Sequence, residues 1–510
     1  MYVKSGNSMK RYNILRILRV AVALLCFALL TLTFVDWGNG TATVDGLRDA
    51  GAELARWQFV PALLSVSALT VCLLLVLTLA FGRIYCSTLC PLGTVQDGVN
   101  TLRKYRNKSA RTRFSFRKPS HLLRYGVLAV TALCVAAGVG FVVALVDPYS
   151  IFGRVMHEGL RPVAQGTNNF LALFFGDSFG REVVSVSWLS ALVALVTIGI
   201  IGLLAWIGGR RYCNSFCPVG TLLGEVSRAS LFKIQIDTSK CVDCGLCGRK
   251  CKGECIDTAA HRIDPTRCVV CFDCIDACSQ GAISFTMRST PSAEKPAEKP
   301  TEKPADKSRR KFLATMATVA AIPVAEAQQR HKRMEQAMQG DGGKHRGPRP
   351  VAPPGAQSIE HLQAKCTACH LCISKCPSHV LQPAVMEYGL QGVMQPVMRY
   401  DKGYCLYDCT LCGEVCPTGA ILPLALEQKR MTQLGHAVFH RGRCVVARDG
   451  VECGNCAEHC PADAIKLQRG VDGRMYPQIE KALCIGCGAC ENLCPATPKA
   501  IEVKGYKVHK

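Results

Sequence analysis

Cys241-Val242-Asp243-Cys244-Gly245-Leu246-Cys247-Gly248-Arg249-Lys250-Cys251 and Cys268-Val269-Val270-Cys271-Phe272-Asp273-Cys274-Ile275-Asp276-Ala277-Cys278 are the two stretches on which the reading of this chain turns. In each, two residues separate successive members of the first three cysteines, and three residues precede the last. Three closely spaced thiols wrap one cubane iron–sulfur cluster, and the fourth ligates its neighbour. Cys241, Cys244, Cys247 and Cys278 are therefore expected to hold one cluster, and Cys268, Cys271, Cys274 and Cys251 the other. A zinc ribbon does not need three close cysteines plus a distant fourth, twice over. The proline that usually follows the fourth cysteine is missing, with Lys252 and Ser279 in its place. Cys255 sits where an alanine usually follows the ligand loop and is expected to be a packing residue.

Working outward, 24 of the 32 cysteines fall into six such sets. A disulfide scaffold of that density belongs to short secreted chains, and this one has 510 residues and long apolar runs. The C-terminal sets are Cys366, Cys369, Cys372, Cys376; Cys405, Cys409, Cys412, Cys416; Cys444, Cys453, Cys456, Cys460; and Cys484, Cys487, Cys490, Cys494. Each ends in Cys-Pro, at Pro377, Pro417, Pro461 and Pro495. The second and third sets have widened first gaps, which add loop without removing a ligand. About six 4Fe-4S clusters follow from four thiols per cluster. Spacing leaves open whether these sets pair in sequence or in a nested order. Cys366-Thr367-Ala368-Cys369-His370 also matches a c-type haem attachment motif. Cys372 and Cys376 complete a ferredoxin set around it, so no haem is expected.

Four apolar runs, at 20–35, 59–82, 122–146 and 186–208, precede the first cluster block. Each is near the length a helix needs to cross a bilayer core; the first reaches it if 14–18 is added and Arg16 snorkels. The segment 83–118 carries nine Lys and Arg against a lone Asp97, whereas 36–58 and 147–185 are mildly acidic. Positive residues stay in the cytoplasm, so both ends of a four-helix unit are expected there. The net charge of +23 then reads mainly as a topology signal, not as a nucleic-acid footprint.

The helical part contains an internal repeat. Gly82-Arg83-Ile84-Tyr85-Cys86 leads to Cys90-Pro91-Leu92-Gly93-Thr94, and Gly209-Arg210-Arg211-Tyr212-Cys213 leads to Cys217-Pro218-Val219-Gly220-Thr221. Both copies follow a helical hairpin and emerge at one membrane face. Cys86, Cys90, Cys213 and Cys217 could ligate a further cluster, act as redox thiols or merely cap helices. Capping alone would not require the same five residues twice. Cys26, Cys72 and Cys134, inside apolar helices, are expected to act as small hydrophobes.

The chain divides into a membrane unit (1–222), a two-cluster block (223–290), a charged Pro-rich linker (291–307), a signal or anchor (308–327), a flexible linker (328–360) and a four-cluster block (361–510). Within the first linker Glu-Lys-Pro recurs three times, with nothing to bury. Ser308-Arg309-Arg310-Lys311-Phe312-Leu313 opens an apolar stretch ending near Ala325-Glu326-Ala327, a pattern close to a twin-arginine export signal with a cleavage site. Clusters are assembled in the reducing cytoplasm, so a cluster protein bound for the periplasm must cross already folded, and this route permits that.

Residues 14–287, with four apolar helices, paired C-x3-C-P motifs and a two-cluster block, resemble the NapH family of membrane ferredoxins. Residues 308–510, with twin arginines and four cysteine sets, look like the NapG/MauM ferredoxins. The resemblance implies a membrane α-helical unit joined to α+β ferredoxin-like domains in the bacterial inner membrane, with the four-cluster block periplasmic. It implies electrons drawn from membrane quinol and passed through 4Fe-4S clusters to a periplasmic reductase or its cytochrome. The partners would be lipid, the quinone pool and that redox protein, with no nucleic acid. The alternative is an accessory ferredoxin resembling CcoG or NosR, supporting a partner's metal centre. No general base, nucleophile or phosphate loop stands out. His121 and Arg124 at the third helix, and His157 and Glu158 in an acidic loop, are the polar candidates for a quinol pocket.

Overall fold

The computed structural model describes residues 6–35, 42–106, 114–175, 186–287 and 349–510. The Glu-Lys-Pro linker, Arg309, Arg310 and the stretch to Ala327 lie outside the described residues. The helical unit comprises α1 (Gly6–Phe34), α2 (Ala42–Arg56), α3 (Phe59–Leu64), α4 (Ala68–Phe81), α5 (Tyr85–Thr88), α6 (Pro91–Arg106) and α7 (His121–Ala136). It continues through α8 (Gly140–Val146), α9 (Pro148–Val155), α10 (Arg161–Phe175), α11 (Trp188–Gly208), α12 (Arg211–Ser215) and α13 (Pro218–Ser227). Among the described residues two helices are long and apolar enough to cross a membrane, α1 over 14–34 and α11, which gives the chain a means of membrane association.

The second and third apolar runs depart from expectation, because neither forms one continuous helix. The second breaks at 65–67, where Val66 adopts φ 61°, and only the 14 residues of α4 follow. The third breaks at Gly138, φ 71°, between α7 and α8. Hydropathy cannot register such breaks, since Val66 and Gly138 leave the runs apolar. The freed backbone groups are satisfied locally: Ser67 N–H donates to the Ala62 carbonyl at 3.1 Å, and Val139 N–H to that of Cys134 at 2.8 Å. The stretches expected as acidic loops are also largely helical. Asp147 and Pro148 start α9 as N-cap and first residue, the Asp147 carboxylate accepting from Ser150 N–H at 2.8 Å.

The first cluster block pairs an outer strand β1 (Phe232–Ile236) antiparallel with its last strand, Ile283–Met287, in the register Ile234↔Phe285. It sits at the N-terminal end of α1, where Arg16 pairs with Asp276 at 2.6 Å and Asp273 at 3.3 Å. The four-cluster block sits at the opposite end of the same helix, where Phe34 packs in one buried cluster with Tyr149, Phe152, Cys369 and Leu371. Its strands form three antiparallel pairs, of which Gly435–Phe439 with Ile501–Gly505 closes the C-terminal half.

This block starts earlier than expected. Residues 349–360, read as the end of a flexible linker, belong to the folded body. Val351 bridges to Met398 and Ser358 to Val508, and Ala352 and Ala356 are fully buried. The apolar Val351-Ala352-Pro353-Pro354-Gly355-Ala356 segment has surface to bury, unlike the charged linker before it. Docking on the helical unit is close. A Cβ at Gly153 would stand 2.4 Å from the Cys369 carbonyl oxygen, and Arg154 spans the joint from the Ala144 carbonyl (2.7 Å) to that of Ala368 (3.3 Å). Gly153→Leu should therefore unseat the four-cluster block at a cost of about 1–3 kcal/mol. Hydrogen exchange should rise at least about tenfold in 148–158 and 366–374 together; unchanged protection would refute this docking.

Candidate iron–sulfur sites

In the first block the loop after Cys241 turns on Asp243 (φ 56°) and Gly245 (φ 67°), and that after Cys268 on Val270 (φ 51°) and Phe272 (φ 64°). The same left-handed pair recurs at Ala368 and His370, and at Gly486 and Gly488. Two left-handed residues at fixed offsets curl the loop so that three thiols face one point. Left-handed backbone is costly for Val and Phe, so these loops need something at their centre to hold them. The two widened sets dispense with the pair: Thr410 and Gly454, before the third cysteine, have φ −118° and −120°. No spacing rule announces this.

Burial pushes the Cys247 thiol up, and Cys278 and Cys241 add to the shift. Cys274 is raised by burial together with Cys271, Cys268 and Cys251. These neighbours are the crosswise grouping expected from spacing. Cys255 is buried as expected, but it is more than packing. Its Sγ lies 3.5 Å from that of Cys251, and the hydrogen bond between the two sulfurs lowers the Cys251 thiol. Lys252, where proline was expected, also has a reason. Its ammonium reaches Asp97 at 2.9 Å and Asp273 at 3.3 Å, tying the cluster loop to α6.

The C-terminal sets pair in sequence order. Burial raises Cys366 and Cys369, the latter to about 12, and Cys416 adds to both. Cys412 is raised by burial, then by Cys405, Cys376 and Cys409. Cys487 rises to about 11 through burial with Cys460 and Cys484 nearby, and Cys456 to about 11 with Cys453 and Cys444. Cys494 packs in one cluster with Cys444 and Cys453. Sets one and two thus exchange their fourth cysteines, as do sets three and four. The two pairs meet where Cys405 N–H donates to the Cys487 carbonyl at 2.9 Å. Backbone N–H groups point at ligand sulfurs throughout: Ala282 to Cys278 (3.3 Å), Ala368 to Cys366 (3.4 Å), Ile421 to Cys416 (3.4 Å) and Ala464 to Cys460 (3.3 Å). All the cysteines are free thiols. Unbridged, mostly buried or half-buried thiols in fours, with N–H donors aimed at sulfur, fit a 4Fe-4S cluster, which supplies one-electron redox chemistry when bound. Its assembly must drive protons off these raised thiols.

The repeated motif brings Cys86, Cys90, Cys213 and Cys217 into one buried cluster with Ile151 of α9 and Cys271 of the first block. The two copies interlock reciprocally. Arg83 donates to the Cys213 carbonyl at 3.2 Å, and Arg210 to that of Cys86 at 2.5 Å. The motif glycines make this possible: a Cβ at Gly93 would stand 2.5 Å from Arg210 Nη1, and one at Gly220 2.7 Å from Arg83 Nη2. Arg83 also reaches Asn214 and the Thr266 carbonyl, both at 2.8 Å. Gln96 and Gly220 N–H donate to the sulfurs of Cys213 (3.2 Å) and Cys217 (3.3 Å). The tyrosines brace opposite walls, Tyr85 on Gln58 at 2.9 Å and Tyr212 on the Val146 carbonyl at 2.8 Å.

Helix α9 bridges this site and the first C-terminal set: Ile151 packs with the four thiols, and Tyr149 and Phe152 with Cys369. Of the polar residues considered for a quinol pocket, Arg124 is buried on Thr266 of the first block (3.1 Å), and His121 stacks on Tyr125. His157 and Glu158 are closed off against His370. The His370 ring, the potential haem ligand, is bonded to the Met394 carbonyl at 3.0 Å. Cys26 is buried, Cys134 intermediate and Cys72 exposed.

Loops, thiols and N–H donors together define an iron–sulfur electron-transfer protein of ferredoxin type. Two families match: a 4Fe-4S binding domain at 64–109 and 190–236, which contain the C-x3-C-P repeats, and a 4Fe-4S dicluster domain at 365–420 and 451–497. The methylamine utilization ferredoxin-type protein MauM of Paracoccus denitrificans is 33% identical over 30% of this chain and 71% of its own length. The ferredoxin-type proteins NapF and NapG of Escherichia coli K12 are each 29% identical over 30% of this chain, and over 84% and 69% of their own lengths. The chain belongs to the MauM family of ferredoxin-type proteins. No solved structure matches it.

Asp97 of α6, the lone acid among residues 83–118, is the electrostatic keystone beneath these sites. It pairs with Arg210 at 2.8 Å, Lys252 at 2.9 Å and Arg19 at 3.6 Å. Burial works against its charge, but Arg210 and Lys252 outweigh burial and hold the carboxyl well below its usual range. A depressed folded-state pKa contributes stability above the unfolded value near 4, lost only as pH falls through the lower folded value. Asp97→Asn leaves the buried Arg210 without its carboxylate partner and should cost about 3 kcal/mol or more at neutral pH. The deficit should shrink as pH is lowered below about 4. Denaturant titrations of the two proteins across pH check this, and equal midpoints at pH 7 would exclude it.

Proposed function

We propose that this chain carries electrons across a membrane, from quinol at its helical unit through 4Fe-4S clusters to a periplasmic redox partner. The observation that carries the reading is the position of the four repeat thiols. They lie between the two ferredoxin blocks, packed with Cys271 on one side and linked through α9 to Cys369 on the other. Arg16 and Phe34, which meet the two blocks, are eighteen residues apart on α1, about 27 Å of helix, close to the ~30 Å of a hydrocarbon core. With α1 and α11 crossing the bilayer, α4 and α7 completing a four-helix unit, and α3 and α8 folded back so that Gln58 and Val146 meet the repeat tyrosines, the blocks occupy opposite faces. Irregular backbone at membrane depth is tolerated where protein covers it. In this reading the cysteine sets hold six clusters and Cys86, Cys90, Cys213 and Cys217 a seventh, the only redox site common to both sides.

The residues of the chain then divide the work. Arg83 and Arg210 place positive charge beside the four thiolates, and Gln96 and Gly220 N–H hydrogen-bond to sulfur. Such charges and bonds favour the reduced state of a thiolate-ligated centre. Cys86→Ser or Cys217→Ser, in membranes supplied with a reduced quinol analogue, should abolish electron passage between the blocks by about 100-fold or more while the six remaining sites stay loaded. Iron near 28 per chain in the parent, falling by about four in the variants, is expected from four irons per cubane. Unchanged electron passage in an inserted variant would make the repeat structural. Arg309→Lys with Arg310→Lys should protect the four-cluster block from protease applied to spheroplasts. Protection in the parent as well would place every cluster in the cytoplasm and turn the reading to an accessory ferredoxin.

A further inference from the structure

We infer that His157, Glu158 and His370 form a binding site for one divalent transition-metal cation of the zinc class, separate from the cluster cysteines. This does not depend on the quinol reading. His157 and Glu158 lie in the π-helical turn Met156–Leu160 of the helical unit, an irregularity frequent at functional sites. His370 comes from the first cluster loop of the C-terminal block. All three side chains are at most 3% exposed. Glu158 Oε1 lies 3.8 Å from His157 Nε2 and 3.6 Å from His370 Nδ1, and the three ligand atoms fall within 4.8 Å of one another.

Proton placement makes a cation the natural occupant. The Met394 carbonyl accepts from His370 Nε2 at 3.0 Å, so that nitrogen carries a proton. Nδ1, on the other side of the ring, faces the Glu158 carboxylate oxygen. Neither His370 Nδ1 nor Glu158 Oε1 has any hydrogen-bond partner. Two buried polar atoms left facing each other without a hydrogen bond are costly unless something positive lies between them. On the far side of the cluster, His157 Nδ1 is held by Ser374 Oγ at 2.7 Å, presenting Nε2 inward. Metal-ligating histidines are commonly oriented in this way by a hydrogen bond at the other ring nitrogen.

The distances are close to what zinc needs. Tetrahedral ligands at ~2.0–2.1 Å stand about 3.4 Å from one another, so the two measured separations must close by only a few tenths of an ångström. Two imidazoles and a carboxylate suit zinc or iron better than a hard alkaline-earth cation. Two ligands come from one block and one from the other, so the cation would fasten the polyferredoxin to the helical unit, beside Cys369.

The test is zinc analysis and zinc X-ray absorption on the full chain, purified anaerobically from zinc-supplemented cells. About one zinc per chain is expected, with nitrogen and oxygen ligands near ~2.0–2.1 Å and no sulfur shell near ~2.3 Å. Glu158→Gln and His157→Ala should each lose that zinc with iron content unchanged. Should His157→Ala also lose iron, the isosteric Glu158→Gln decides. Absence of zinc in the parent, zinc bound by sulfur, or zinc retained in a variant that keeps its iron would overturn the site and leave a shared proton among the three groups.

Discussion

Two guanidinium groups sunk completely into the interior hold this protein together. Arg83 and Arg210 each leave their own copy of the repeat and end under the other, on the carbonyl of its first cysteine. A buried cation survives only if its donors are matched and its charge is met. Arg210 is met by Asp97, which also gathers Arg19 and Lys252. Arg83 is met by thiol, amide and carbonyl groups, Cys86 Sγ among them at 3.8 Å. The helical hairpins, the first cluster block and the four thiols are thereby locked to one another. The glycines of the motif are spaces through which the arginines pass.

The same economy of charge runs along the row of cysteine sets. Burial pushes thiols such as Cys274, Cys366, Cys372 and Cys412 above their ordinary range, and backbone N–H groups donate to the sulfurs of Cys278, Cys366, Cys416 and Cys460. A cluster bound there would add negative charge to a poorly solvated site, and those donors are what the chain offers against it. Cys255, as a fifth sulfur beside Cys251, makes the second site of the first block unlike the others. The Lys252–Asp97 bond makes that same site the one most directly tied to the helical unit.

The joint between the helical unit and the C-terminal block is of a different kind. It is small-residue packing, with Gly140 and Gly153 admitting the carbonyls of Cys366 and Cys369, reinforced by Arg154 and by the buried His157, Glu158 and His370 group. The first block is held by ion pairs that leave no gap at Asp97. The second is held by a close fit around a polar cluster in which Glu158 Oε1 and His370 Nδ1 lack hydrogen-bond partners.

The sequence by itself determined which cysteines act together within each ferredoxin loop, because ligand spacing is a local property of a chain wrapping a cube. It determined the crosswise exchange in the first block and the existence of the C-x3-C-P repeat. It did not reveal that 349–360 is folded, that Val66 and Gly138 break two apolar runs, or why Lys252 replaces a proline. Each of those depends on a partner far away: Met398 and Val508 for the segment before the last block, docked protein against the broken helices, Asp97 for the lysine. Only the tertiary structure decided that the C-terminal sets pair in order, and that the repeat thiols lie between two blocks. It also decided that a histidine inside a haem-like motif faces an acid and a second histidine more than 200 residues away. Loop spacing fixes what a few neighbouring residues can enclose, whereas burial and charge pairing between distant segments fix where those enclosures stand.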